Sequence, residues 1–264
     1  GDCASTPLVN GICRKAKRMR IQQMQGKPKT MIVTGASQGI GAGVTKAFIE
    51  RGYNVVANSR KITRSGFAPM ERLALVDGDV GEASTAAKIA ATAMSAFGSI
   101  DGVVNNAGIF FGKPFTDYTF DDFETLSKTN LEGFIYVTQL AVKQMLVQKT
   151  GGSVISVTAT TADHPIAGVN GSVPMMTKGG LEAITRNLAL EYAKDGIRFN
   201  AVAPGIVDTP MHVNDSKEFL NSLSPMGMVS NVKDIVDAII YLTEAGQVTG
   251  EILHVDAGAH NGKW

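Results

Sequence analysis

Several features that define common protein classes are scarce in this chain. It has two cysteines, one tryptophan and only 6% aromatic residues. Both cysteines, Cys3 and Cys13, stand near the start, so the sequence offers no disulfide framework and we expect a protein of the reducing cytoplasm. No apolar run reaches the roughly 20 residues that a membrane-spanning helix needs. The formal net charge of +1 favours neither nucleic acid nor an anionic membrane as a partner.

The charge is distributed unevenly along the 264 residues. Residues 1–26 hold five basic side chains against one acidic side chain, Asp2. We interpret this stretch as a basic N-terminal extension or the remnant of an added terminus, and a transit peptide is the alternative. Residues 27–264 are long enough for one large domain with a substantial core.

Short apolar runs alternate with longer helical patterns from Thr30 onward, which is typical of βα units. We predict helices after the first strand and over Glu82–Phe97, Leu131–Gln148 and Pro174–Lys194. The fold class is therefore α/β, a single-domain doubly wound parallel sheet of Rossmann type with helices on both faces. The seven predicted strands are Met31–Val33, Asn54–Ala57, Leu73–Val76, Asp101–Val104, Ser153–Val157, Arg198–Val202 and Ile252–Val255.

A glycine-rich turn follows the first predicted strand. Residues 34–41 read TGASQGIG, with glycines at positions 35, 39 and 41. Without Cβ atoms the backbone approaches a phosphate closely, and the next helix offers unpaired N–H groups and the positive end of its dipole. The spacing differs from the G-x-G-x-x-G pattern of dinucleotide-binding proteins. It predicts a pyrophosphate site, with a purely structural turn as the alternative.

Further short motifs follow the glycine turn in a fixed order. They are Asp79-Val80, NNAG at 105–108, Asn130, Pro204-Gly205 with Thr209, and HVDAG at 254–258. Together with the turn they resemble the short-chain dehydrogenase/reductase family, over nearly everything from Lys27 onward. The resemblance implies a nicotinamide-dinucleotide oxidoreductase. The cofactor-binding residues that we infer are Gly35, Ser37, Gln38, Gly39, Ile40, Gly41, Ser59, Arg60, Asp79, Val80, Asn106, Ala107, Gly108, Lys178, Pro204, Gly205 and Thr209.

The end of the second predicted strand bears on the choice of dinucleotide. It has no carboxylate of the kind that bonds the ribose hydroxyls of NAD. Arg60 offers a planar donor fork suited to phosphate, and Ser59 offers a hydroxyl. By resemblance this is the pattern of NADP-preferring members, so we predict NADP(H). NAD(H) stays open, because Gln38 stands where some NADP-preferring relatives carry a basic residue.

The proton-transfer residues that the resemblance implies are incomplete. In the family a serine and a tyrosine polarise the substrate carbonyl, a lysine holds the cofactor ribose, and a helix asparagine keeps a relay water in place. Lys178 and Asn130 match the last two. Pro174 stands where the tyrosine is expected, and a pyrrolidine ring neither donates nor accepts a proton. Tyr192 shares the predicted helix but would lie about 21 Å away at 1.5 Å per residue.

Several replacements for the tyrosine stay open. Proton relay from Lys178 through a water held by Asn130 is the favoured one. Thr158, Thr160 and Thr161 are candidates for binding a developing oxyanion, and His164 is a candidate acid. An iminium substrate would need no proton donor, because hydride addition leaves no alkoxide. A different class of function is an NADP(H) sensor or an inactive partner subunit.

The substrate and the assembly state follow from weaker patterns. We predict hydride transfer between NADP(H) and a small apolar carbonyl, imine or alcohol, with no metal. The helices over Leu131–Gln148 and Leu181–Tyr192 carry apolar residues on more than one face, which predicts a homodimer or homotetramer. Thr209–Met228 is interpreted as a substrate lid. The residues that suggest an apolar substrate are Phe110, Phe111, Met211, Phe219, Leu220, Leu223, Met226 and Met228.

Overall fold

Seven parallel strands form the centre of the structure, a computed structural model that describes residues 27–210 and 216–262. Their order in the sheet is β3-β2-β1-β4-β5-β6-β7. This confirms the predicted doubly wound parallel sheet, whereas the interpretation of residues 1–26 lies outside the described residues. The strands are β1 Thr30–Val33, β2 Asn54–Ser59, β3 Leu73–Asp77, β4 Gly102–Asn105, β5 Gly152–Val157, β6 Ile197–Pro204 and β7 Ile252–Val255.

Helices cover both faces of this sheet. Helices α1 and α7 pack side by side on one face through residues such as Phe48 and Ile239, while α2, α4 and α5 pack on the other through Ile89, Val137 and Ala189. In the described ranges, no helix has the length and apolarity needed to span a membrane. The helices are α1 Gly39–Glu50, α2 Ala83–Phe97, α3 Phe120–Ser127, α4 Gly133–Gln148, α5 Ser172–Glu191, α6 Lys217–Asn221 and α7 Val232–Glu244.

The helix boundaries differ from the predicted ones at two places that matter for the site. Lys128–Glu132 wind as a single π-helical turn between α3 and α4, so α4 begins at Gly133. Helix α5 begins at Ser172, two residues before Pro174, and its N-cap is Gly171. A proline in the third helical position loses no hydrogen bond, because the N–H groups of a first turn have no partner inside the helix.

The strand order reverses at β1, which has β2 on one side and β4 on the other. In an open parallel sheet, the crevice outside the carboxyl ends of the strands at such a reversal is the usual ligand position. The glycine turn follows β1 and the NNAG segment follows β4. The topology therefore places these two predicted motifs at the same crevice.

Candidate active site

The turn between β1 and α1 requires glycine for two separate reasons. Gly35 has a φ of +64°, a left-handed conformation that L side chains rarely adopt. A Cβ added to Gly41 would lie 2.3 Å from the carbonyl oxygen of Gly35. The turn is therefore closed so tightly that its own backbone excludes a side chain.

The NNAG segment holds this turn in place. The Thr34 hydroxyl accepts from the backbone N–H groups of Asn106 and Ala107 at 3.2 and 3.1 Å. The Asn106 amide donates to the carbonyl oxygens of Thr34 and Gly35, both at 3.1 Å. Both amide hydrogens of Asn106 are thus used to brace the turn. Thr34 was missing from our predicted set, although a hydroxyl directly before the first glycine was visible in the sequence.

A cleft of about 430 Å³ opens over these two segments at the carboxyl ends of the first four strands. Most of the predicted cofactor residues meet there, and the turn supplies one wall of the cleft. Those that line it are Gly35, Ser37, Gln38, Gly39, Ile40, Ser59, Arg60, Asp79, Val80, Asn106, Ala107, Gly108 and Thr209. Lining residues that the sequence reasoning missed are Asn58, Gly78, Ile109, Thr125, Lys128, Thr129 and Pro210.

Four predicted cofactor residues do not line this cleft: Gly41, Lys178, Pro204 and Gly205. Gly41 lies behind the turn. Pro204 ends β6, and a Cβ on Gly205 would lie 2.8 Å from the Cβ of Asp256. Gly205 therefore has a packing role, since only glycine lets the end of β6 approach the segment after β7.

The polar groups of the cleft suit a phosphorylated ligand. Arg60 is exposed at the rim and has no ion-pair partner within residues 27–210 and 216–262, whereas Lys128 is paired with Glu82 at 2.5 Å. The Asn58 amide donates to the carbonyls of Val76 and Gly78 at 2.9 and 3.1 Å. Its buried Oδ1 has no partner among the described residues. Arg60 thus offers the cleft a guanidinium without an ion-pair partner among the described residues, and Asn58 lines the same cleft.

Lys178 projects from α5 toward the inner end of the cleft. Its Nζ donates to the carbonyl oxygen of Val157 at 2.7 Å. A Cβ on Gly108 would lie 3.1 Å from that Nζ and 3.3 Å from Oδ1 of Asn130, so the three residues are close neighbours. Burial lowers the pKa of Lys178 to about 8. Its ammonium can therefore release a proton near neutral pH, as an ordinary lysine cannot.

Asn130 lies in the π turn and uses its side chain for bracing. Its Oδ1 accepts from the N–H of Ile109 at 2.9 Å, and its Nδ2 donates to the Ile109 carbonyl and to Oγ1 of Thr177. The Thr177 hydroxyl in turn donates to the carbonyl of Pro174 at 2.7 Å. Both amide hydrogens are therefore occupied, and proton relay through a water held by Asn130 stays a prediction.

Two of the three predicted oxyanion-binding threonines are turned away from the cleft. Thr158 donates its hydroxyl to the Val202 carbonyl at 3.2 Å, and Thr160 contacts the Ala203 carbonyl and the Asp256 carboxylate at 3.1 and 2.9 Å. Both side chains are buried, and their single hydroxyl hydrogens are already used. The end of β6 thus supplies acceptors that the sequence does not reveal, and the role of these threonines as oxyanion-binding residues stays a prediction.

A second cavity of about 360 Å³ lies beside Thr161, whose Oγ1 contacts the sulfur of Met175 at 3.1 Å. Its wall is mainly apolar and includes Phe110, whereas Phe111 packs against Tyr118 instead. The residues that line it are Phe110, Lys113, Phe115, Thr161, Ala162, Pro165, Ile166, Val169, Asn170, Gly171, Ser172 and Met175. His164, predicted to face the substrate, is not among them.

The predicted lid is described only in part, because Met211 lies outside the described residues. Phe219, Met226 and Met228 are exposed, while Leu220 is buried. The interpretation of this segment as a lid stays a prediction.

Comparison with known proteins decides the family. A family model described as enoyl-(acyl carrier protein) reductase matches residues 35–260. L-Rhamnose 1-dehydrogenase (NAD(P)(+)) of Sphingomonas sp. (strain SKA58) is 33% identical over 246 residues, which cover 88% of this chain and 96% of that protein. The chain belongs to the short-chain dehydrogenase/reductase family. Matching members such as L-rhamnose 1-dehydrogenase and glucose 1-dehydrogenase are oxidoreductases, so the chain belongs to a family of oxidoreductases.

Solved structures of short-chain dehydrogenases/reductases agree with this assignment. ElxO with NADP bound superposes with a TM-score of 0.81 and 26% identity, over 89% of this chain and all of that one. The 3-ketoacyl-(acyl-carrier-protein) reductase of Brucella melitensis, complexed with NADH, gives a TM-score of 0.80 and 26% identity over 88% and 98% of the two chains. Both nicotinamide dinucleotides thus occur among the structural neighbours.

Proposed function

We propose that this chain is an NADP(H)-dependent oxidoreductase that transfers a hydride between NADP(H) and a small apolar carbonyl, imine or alcohol. The observation that carries the proposal is the cleft, in which the braced glycine turn and Arg60 face the same space. The turn offers backbone N–H groups to a pyrophosphate, and the guanidinium offers a donor fork to a 2′-phosphate. The second cavity, with its apolar wall, is the proposed substrate position.

The residues present fit the dinucleotide. Glycine at 35 and 41 lets the turn close against the chain's own backbone, and Asn58 and Asp79 lie where the second and third strands end. Ser59, Arg60 and the main chain of residues 35–40 would hold the phosphates, and Lys178 would lie beside the nicotinamide end. When bound, NADPH supplies the hydride; the protein supplies position and charge.

For the proton, we assign Lys178 the role that a tyrosine has in the family. With a pKa of about 8, its Nζ exchanges a proton at working pH. A proline at 174 leaves the inner end of the cleft without a phenol. Reduction of a carbonyl then depends on Nζ, directly or through water. Reduction of an iminium does not, because the product nitrogen is already neutral after hydride addition.

A second function, an NADP(H) sensor or inactive partner subunit, is favoured by one observation. Among Thr158, Thr160 and Thr161, only the last keeps a hydroxyl beside a cavity. This function predicts tight NADPH binding without turnover.

One experiment separates the two proposals. Fluorescence titration measures NADPH affinity, and NADPH oxidation is then followed against panels of ketones, imines and enones. Binding with turnover supports the oxidoreductase, and binding without any turnover supports the sensor. Absence of binding to NADPH and to NADH removes both.

We also propose that the chain forms a homodimer or homotetramer. An apolar groove runs between α4 and α5, and Ile135 beside it is 39% exposed. Its apolar lining includes Phe134, Val142, Leu146 and Leu188. Light scattering on the purified protein, and on an Ile135→Glu variant designed to place a charge in the groove, tests this proposal. The cytoplasm remains the expected location.

A further inference from the structure

Three of the chain's four histidines lie together where the loop after β5 meets the end of β7. The rings of His164 and His254 are 5.5 Å apart, and those of His164 and His260 are 5.7 Å apart. His164 belongs to the loop after β5, whereas the other two belong to β7 and the turn that follows it. The fold therefore joins residues about ninety positions apart into one cluster.

Asp163, His164 and His254 each bring one atom that could ligate a metal ion into the same small region. Oδ1 of Asp163 lies 2.8 Å from Nδ1 of His164 and 3.4 Å from Nε2 of His254, and one ligand atom from each of the three residues lies within 4.8 Å of the other two. Nδ1 of His164 is buried and has no hydrogen-bond partner among the described residues, despite the short distance to the carboxylate. A buried imidazole nitrogen that has no hydrogen-bond partner and lies beside a carboxylate oxygen is available to a cation.

The third histidine holds this arrangement in place. The ring of His260 stacks on His254 with centroids 4.2 Å apart, and its Nδ1 lies 3.0 Å from both carboxylate oxygens of Asp256. Asp256 is buried and also accepts from Thr160 and the N–H of Gly258. The His254 ring is thus held on one side by a ring that is itself hydrogen-bonded to a buried carboxylate.

We propose that Asp163, His164 and His254 bind a divalent transition-metal ion, with Zn²⁺ as the type case. Two imidazole nitrogens and one carboxylate oxygen suit Zn²⁺ and its neighbours, whereas Mg²⁺ and Ca²⁺ prefer oxygen ligands throughout. Three protein ligands leave a coordination position for water. The side chains of Asp163 and His254 are 36% and 15% exposed, so the ion can enter from solvent.

The ion would join two separate parts of the structure. The loop that carries Asp163 and His164 continues into Pro165 and Ile166, which line the second cavity. His254 lies on β7, the last strand of the sheet. Metal binding thus fixes the wall of the proposed substrate cavity to the sheet, so its role is structural.

The test uses the full chain with Cys3→Ser and Cys13→Ser, because thiols would bind zinc independently of this site. Competition with a chromogenic chelator measures Zn²⁺ affinity and stoichiometry. We expect one ion per chain, and Asp163→Asn, His164→Gln and His254→Gln should each weaken binding at least about tenfold. Glu251→Gln, which alters an exposed carboxylate at the start of the same strand, is the matched control and should bind as the parent does.

Two further measurements do not depend on activity or on the variants. Co²⁺ in place of Zn²⁺ should give a visible absorption spectrum with the features of imidazole ligation, and saturating Zn²⁺ should raise the Tm by roughly 5 °C. Absence of stoichiometric binding in the parent overturns the proposal. So does parent-like affinity in all three ligand variants.

Discussion

The two ends of the cleft differ in how closely their residues match the family pattern. At the phosphate end, β1, the glycine turn and β2 keep the features that the family resemblance implies, and Asn106 and Thr34 brace them. At the reaction end, β5 and α5 keep Lys178 but have a proline at 174, and the hydroxyls of Thr158 and Thr160 are used elsewhere. Within a single fold, the phosphate end matches the family pattern that the sequence resembles, and the reaction end departs from it at residue 174.

The difference follows from what each end is made of. The phosphate end works through main-chain N–H groups and the absence of side chains, so most substitutions there break the turn. The reaction end works through individual functional groups, which can be exchanged without changing the fold. We therefore expect cofactor binding and proton transfer to be separable properties of this chain, and the following experiments test that expectation.

The largest expected effect comes from Pro174→Tyr. A phenol one helical turn from Lys178 restores a proton donor, and general acid catalysis is typically worth about 10²–10⁴-fold in rate. Carbonyl reduction with NADPH should rise by that order, measured as kcat/KM. Pro174→Phe, which has the same ring and no hydroxyl, is the control. Equal rates in the two variants would contradict a missing phenol as the cause.

Gly41→Ala should remove most of the cofactor affinity. The new Cβ would lie 2.3 Å from the Gly35 carbonyl, so the turn must open and the phosphate contacts are displaced. We expect NADPH binding, measured by calorimetry, to weaken by about 100-fold. A 1 Å misplacement of a bound group can lower a reaction rate by about the same factor. Gly66→Ala is the control, because a Cβ there meets nothing within 4 Å. Unchanged affinity in Gly41→Ala would mean that the turn does not bind the phosphates of NADPH.

Lys178→Met should lower turnover by about 100-fold, the lower end of general acid catalysis. The pH profile gives the sharper test. Because the acid form of Lys178 is the donor and its pKa is about 8, carbonyl reduction by the unmodified protein should fall as pH rises through about 8. That decline should be absent in the variant. A rate that does not change over this range would exclude Lys178 as the acid.

The smallest expected effect is that of Arg60→Ala on cofactor choice. Loss of a charge-assisted hydrogen bond to the 2′-phosphate costs about 1.5–3 kcal/mol, or roughly tenfold or more in Kd for NADPH. The Kd for NADH should hardly change. Lys61→Ala removes an adjacent exposed charge that does not line the cleft, and serves as the control. A similar loss for both dinucleotides would mean that Arg60 does not contact the phosphate.

The positions of the strands and the glycine turn could be predicted because they depend on local sequence. Apolar runs such as Met31–Val33 have the composition of buried strands, and the spacing of glycines indicates the backbone geometry of the turn. Helices α3, α6 and α7 were not predicted. Start signals were present for α3 and α7, since Thr119 with Asp122 and Asn231 with Asp234 form capping boxes.

The rest depended on contacts between distant segments. The orientation of Thr160 is determined by Asp256, and the use of the Asn130 amide by Ile109 and Thr177. The histidine cluster likewise brings together the loop after β5 and β7. The spacing of residues along the sequence does not reveal contacts between such distant segments, so the roles of side chains were harder to predict than the positions of the motifs.

The hydrogen bond between Thr177 and residue 174 has a consequence for how such sites diverge. Thr177 donates to the main-chain carbonyl of Pro174, and the first hydrogen bond of α5, from Met175 to Gly171, also leaves out the side chain at 174. The network that secures the start of α5 thus takes only a carbonyl from this residue. Evolution could therefore exchange the reactive group here while inheriting the surrounding framework unaltered.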